Sequence, residues 1–130
     1  MPITNFFRTE DWKKEKHVPV IEIVGEKKKG APITVRVTVG KEIKHPNTTE
    51  HHIRWIKLLF WPKDSAFPYD IGTAEFSAHG ESTKGPNTSG IYTEPIAYFV
   101  FKTENPGKLI ALSYCNIHGI WANEEDFSFD

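Results

Sequence analysis

Ile33-Thr34-Val35-Arg36-Val37-Thr38-Val39 alternates apolar and polar side chains along its whole length. Neighbouring residues of a β-strand point to opposite faces. The stretch therefore predicts a strand with one face buried and one wet, the habit of antiparallel sheets. Residues 18–24 form a β-branched run before it, closed by Gly25 and the charged turn Glu26-Lys27-Lys28-Lys29-Gly30. Residues 53–61 are strongly apolar and stop at Pro62. Their aromatic and β-branched content argues for strand over helix. Residues 71–78, 96–102 and 109–114 complete six strands or seven. Between them lie turn signals such as Asn105-Pro106-Gly107 and Lys84-Gly85-Pro86-Asn87. Short strands with such punctuation predict an all-β fold, an immunoglobulin-like β-sandwich of about seven strands with metal-binding loops. The acidic end, Glu124-Glu125-Asp126, reads as a solvated tail or a helix start.

With 130 residues, the chain is expected to be a single domain spanning 1–130, large enough for a real core. A net charge of −1 excludes a generally basic, nucleic-acid-binding surface. No apolar run is long enough for a transmembrane helix, so no membrane partner is expected. Met1-Pro2-Ile3-Thr4-Asn5 lacks the basic and apolar regions of a signal peptide. Cys115 is the only cysteine and can make no internal disulfide. Both features lead to a cytoplasmic expectation, where a thiolate survives.

That cysteine opens Cys115-Asn116-Ile117-His118-Gly119, a C-x2-H spacing that can place a thiolate and an imidazole on one metal ion. A second loop, His45-Pro46-Asn47-Thr48-Thr49-Glu50-His51-His52, carries three more histidines. Pro46 keeps His45 extended. Asn47 and Glu50 have the spacing of a capping box around one helical turn. His51 and His52 are adjacent, so only one of them is expected to bind. His17 lies where a polar loop enters the first strand. His79, before Gly80, is read as a structural, hydrogen-bonded residue. The candidates are thus His17, His45, His51, His118 and Cys115. Five protein ligands overfill a structural zinc site and fit iron with one position left open. Blue copper also uses His and Cys on a β-sandwich, usually with an axial Met. The only methionine here is Met1. A cupredoxin-like electron-transfer protein, or a plain binding module with solvated loop histidines, stays open on these residues alone.

The three motifs together, Glu15-Lys16-His17-Val18-Pro19, residues 45–52 and Tyr114 to Gly119, resemble the superoxide reductases (neelaredoxins and the catalytic domain of desulfoferrodoxins). Residues 79–82, 85–89 and 92–98 resemble the same family. With one cysteine present, the resemblance is to the one-iron class. It implies a mononuclear non-haem iron, Fe2+/Fe3+, with His17, His45, His51 and His118 equatorial and Cys115 axial. Glu15 would occupy the sixth site when the metal is oxidised. The implied reaction is one-electron reduction of superoxide to hydrogen peroxide, without release of dioxygen. Lys16 would guide the anion and assist proton delivery. A rubredoxin-like electron donor and a homotetrameric assembly are implied as partners. Lys13, Lys14, Lys16, Lys41 and Lys44 against Glu15 and Glu42 make these loops locally basic, a rim suited to an anionic substrate and an acidic donor.

Overall fold

The computed structural model describes residues 7–130. The reading of residues 1–5 as free of an export signal, and Met1 itself, lie outside these residues. Among the described residues seven strands run in chain order: β1 (Pro19–Val24), β2 (Ile33–Val39), β3 (Ile53–Pro62), β4 (Tyr69–Glu75), β5 (Ile96–Phe101), β6 (Gly107–Cys115) and β7 (Gly119–Phe127). They form two antiparallel sheets, ordered β1-β2-β5 and β4-β3-β6-β7. No helix among the described residues is long and apolar enough to cross a membrane.

The alternation in β2 translates directly into burial: Ile33, Val35, Val37 and Val39 face inward, and Thr34, Arg36 and Thr38 face out. Opposite them lie Ile56 and Leu58 of β3 and Leu109 and Ala111 of β6. Phe60, Phe101 and Phe127 fill the end remote from the histidine loops, meeting edge-on or tilted with centroids 5.3 to 6.4 Å apart. The seventh strand is β7. Its acidic residues are neither a tail nor a helix start, which corrects the sequence reading. Glu124 and Asp126 lie on an edge strand, where Lys108 of β6 reaches them at 3.4 and 3.9 Å. Three acids in a row hide the strand signal, yet a charged edge is how sheets avoid pairing with other chains. Expected and observed strands otherwise differ by only a few residues at their ends.

The topology gathers the loops of interest at one end. Pro19, the first residue of β1, pairs with Val39, the last of β2. Ile53, the first residue of β3, pairs with Cys115, the last of β6. Asn123 of β7 donates from its side chain to the Pro19 carbonyl at 3.0 Å, tying the two sheets together there. The β3–β6 register shifts between Ile53 and Trp55, a bulge directly beside the histidine loop. Bulges of this kind re-aim side chains near functional sites.

Ile56 is fully buried at the centre of β3, paired with Ala74 and Ser113. Ile56→Ala should lower stability by about 2–5 kcal/mol, since the cavity has rigid strand walls on both sides. Denaturant unfolding checks this, and an unchanged midpoint would show that the core does not pack as described.

Candidate metal centre

The Cys115–His118 turn is the simplest part of the site. Cys115 pairs with Gly119 at the turn end of the β6–β7 ladder, and residues 116–118 make the turn. Gly119 adopts φ +82°, the left-handed conformation that closes a three-residue hairpin loop. This places His118 Nδ1 3.8 Å from Cys115 Sγ, and the His118 backbone N–H donates to the sulfur at 3.4 Å.

Between β2 and β3 the chain makes a compact loop of bends. No helical turn forms there, and the expected capping box is replaced by asparagine side chains. Asn47 accepts from the Ile53 N–H at 3.0 Å and donates to the Thr93 carbonyl. Asn87 accepts from the Thr49 N–H at 2.9 Å and donates to the Glu50 carboxylate. Asn116 bonds three ways. Its backbone N–H donates to the His52 carbonyl, its Oδ1 accepts from the His52 N–H, and its Nδ2 donates to the Glu50 carbonyl. The cysteine turn and the histidine loop are thereby bolted together. Sequence reading missed Asn87 and Asn116, because both partners of each bond lie far apart in the chain. Their position inside loops otherwise short of regular structure was the one available signal.

Gly40, after β2, has φ +85°, and a Cβ there would lie 2.5 Å from the His45 backbone nitrogen. Only glycine lets the chain turn this closely onto His45.

The result is a closed ring of imidazoles. Centroid distances are 4.7 Å from His17 to His45, 4.7 Å from His45 to His51, 5.0 Å from His51 to His118 and 4.7 Å from His118 to His17. The His17–His51 diagonal is 6.2 Å, so the rings sit at the corners of a rough square. Donor atoms of His17, His45, His51 and Cys115 all lie within 4.8 Å of one another. His118 completes the square, with its Nδ1 3.1 Å from His17 Nε2.

Hydrogen bonding decides which nitrogens face inward. His17 Nδ1 is held by Glu15 at 2.5 Å and His45 Nδ1 by the Pro46 carbonyl. His45 Nε2 and His51 Nε2 are buried and have no partner. Buried polar atoms left unpaired are rare and costly. Unpartnered lone pairs aimed at one another beside a buried sulfur fit a bound metal ion, with His17, His45 and His51 offering Nε2 and His118 offering Nδ1. Burial lowers the pKa of His17 and His51, and pushes His45 down to about 4, so the rings stay neutral and able to donate. The charge of Lys16 adds to the lowering at all three. Glu15 is opposed by burial, but hydrogen bonds from the side chain and backbone of His17 outweigh it and hold its carboxyl below the usual range.

Other predicted residues fall outside the cluster. Glu15 holds the outward nitrogen of His17, Nδ1, and contributes no atom to the cluster of donors. His52 turns away from His51 and stacks on His79, with centroids 3.6 Å apart and planes 8° from parallel. Both are buried, with ring nitrogens bonded to the carbonyls of Thr48 and Ile53. Lys41 is committed to Glu22 at 2.6 Å, which removes it from the free basic rim. Lys16, half-buried beside the site, has no carboxylate partner among the described residues.

The family model for desulfoferrodoxin matches residues 9–124. The chain belongs to this family. The desulfoferrodoxin relatives include the superoxide reductase of Pyrococcus furiosus, 63% identical over 94% of this chain and 96% of that protein. The neelaredoxin of Megalodesulfovibrio gigas is 50% identical over 96% of each chain. In structure, the reduced superoxide reductase (neelaredoxin) from Archaeoglobus fulgidus superposes with a TM-score of 0.90 at 62% identity, covering 95% of this chain and 98% of that one.

Gly40→Ala should weaken metal binding by this desulfoferrodoxin-family chain. The left-handed backbone alone costs ~1–2 kcal/mol for a residue with a Cβ, and the overlap pushes His45 out of place. Titration with zinc or cobalt measures it, and wild-type affinity in the variant would contradict the close approach.

Proposed function

We propose that the chain is a superoxide reductase, delivering one electron to superoxide and, with two protons, releasing hydrogen peroxide. The observation that supports this most is the square of imidazoles with unpaired inward nitrogens next to Cys115 Sγ. The residues to hold the metal are His17, His45, His51, His118 and Cys115. We take the metal to be iron, which would supply the electron by cycling between Fe2+ and Fe3+ while the thiolate raises its electron density.

The protein's own groups do the rest. Glu15 fixes the tautomer of His17 by accepting from Nδ1–H, which leaves Nε2 free and makes the ring a better donor. Its role as a ligand of the oxidised centre, carried by the resemblance, requires that hydrogen bond to break. Lys16 sets a positive field at the site, and its ammonium would assist proton delivery to the anion. Asn47, Asn87 and Asn116 hold the ligand loop rigid, which limits reorganisation between oxidation states.

Each turnover leaves the centre oxidised, so an external one-electron donor is needed. A rubredoxin-like protein with an acidic surface suits the cations Lys13, Lys14 and Lys16. We further propose a homotetramer, which would cover Ile96, Tyr98 and Val100, exposed on the outer face of the edge strand β5. A cytoplasmic setting would keep Cys115 reduced.

Metal analysis should find one iron per chain. Anaerobic mixing of the reduced protein with superoxide should yield peroxide and no dioxygen. Dioxygen as a product would make it a dismutase, and an absence of reaction would end the proposal. Lys16→Ala should slow the bimolecular step about three- to tenfold and flatten its dependence on salt, with Lys16→Arg retaining most of the rate. Pulse radiolysis reads this, and equal rates in all three proteins would remove Lys16 from the mechanism.

A further inference from the structure

Trp121 lies outside the ligand set, yet it touches two members of it. It is the third residue of β7 and is 5% exposed. One indole face stacks on the His17 ring, with centroids 4.8 Å apart and planes 14° from parallel. Its Nε1–H donates to the His118 carbonyl at 3.2 Å. The Arg8 guanidinium lies over the Trp121 ring, 5.2 Å from its centroid. Arg8 is itself held there by its backbone, which donates to the Ile120 carbonyl at 3.3 Å and accepts from the Ala122 N–H at 2.8 Å. The cross-strand partner of Trp121 is Ser113, and the Ser113 hydroxyl donates to the His17 carbonyl at 3.3 Å.

We propose that Trp121 is a positioning residue of the metal centre, a bracket that sets the tilt of the His17 ring against the turn carrying His118. The argument is geometric. His17 leads into β1 of one sheet, and His118 sits in the β6–β7 turn of the other. No strand ladder joins them, so the relative placement of these two donors depends on side chains. An imidazole lone pair lies in the plane of its ring. Tilting the ring therefore moves the direction in which Nε2 points. A flat indole against that ring restricts its tilt, while the Nε1–H bond fixes the His118 turn on the same rigid group. Coordination draws electron density from an imidazole, so the stack on an electron-rich indole strengthens when metal binds. An apolar filler would need neither the stacked face nor the N–H, and Trp121 uses both.

The bracket rests on the metal-site reading above, and the test separates the two. The metal-free protein, Trp121→Phe, Trp121→Leu and, as a control, Trp61→Phe are titrated with Co2+ against a chelator, and the absorption bands of the cobalt forms are recorded. Trp61 bonds through Nε1 to the Ser65 carbonyl, away from the metal cluster. Trp121→Leu should bind cobalt about 10–100-fold more weakly, the usual cost of losing an outer-layer partner of a ligand, with shifted ligand-field bands. Trp121→Phe keeps a stacked ring and should lose less affinity and shift less. Trp61→Phe should match wild type. Should Trp121→Leu fail to fold, Trp121→Phe alone decides, because a fully wild-type affinity and spectrum in it overturns the bracket. A wild-type chain that takes up no cobalt overturns the metal-site reading itself, and the bracket with it.

Discussion

Two buried nitrogens without partners, His45 Nε2 and His51 Nε2, set the terms for the rest of the molecule. Each unpaired buried polar atom costs about 1–3 kcal/mol. Beyond burial, the crowding of like rings around the thiol depresses the basicity of His17, His45 and His51 further. A metal ion would turn that cost into bonding, because it needs neutral, inward-facing lone pairs and a thiolate. The fold therefore carries a local penalty that a bound ion would relieve.

The sandwich supplies the rigidity that such a penalty requires. Its core is built from β-branched and aromatic side chains between two sheets, with no polar interruption at β2 or β3. Strand ends at one pole carry all the donors: the approach to β1, the β2–β3 loop and the β6–β7 turn. Register then acts as the measuring device. Pairing of Ile53 with Cys115 brings the histidine loop over the sulfur, and the Asn116 bonds lock it there. Trp121 and Ser113, paired across β6 and β7, grip the ring and carbonyl of His17 from the same side.

Some of this was legible from residues alone. The alternation of β2, the apolar β3 and the C-x2-H turn are local signals, and each was readable because its physics is local. A strand period of two needs no partner to be seen, and a cysteine and histidine on either side of a tight turn must meet. The reading failed where local signals misled. Glu124, Glu125 and Asp126 disguised β7, since an edge strand tolerates charge that a central one does not. Asn47 and Glu50 mimicked a helical cap, but Asn47 spends its side chain on Ile53 and Thr93, and Glu50 on Asn87. Lys41 counted towards a basic rim in one dimension and turned out to neutralise Glu22 in three.

The chain's order of residues thus determined which groups were available: six histidines, one cysteine, and strands able to bury an apolar face. It also set the family, because the three motifs and their surroundings lie within the residues 9–124 that the family model matches. Tertiary structure alone decided which nitrogen of each ring faces inward, that His52 pairs with His79 instead of joining the cluster, and that Glu15 holds His17 by its outer nitrogen. The reason is that donor direction depends on hydrogen bonds and stacking between segments up to about a hundred residues apart, as in the separation of 101 between His17 and His118. Such contacts leave no periodic trace along a chain, since any spacing can be bridged once the sheets have closed.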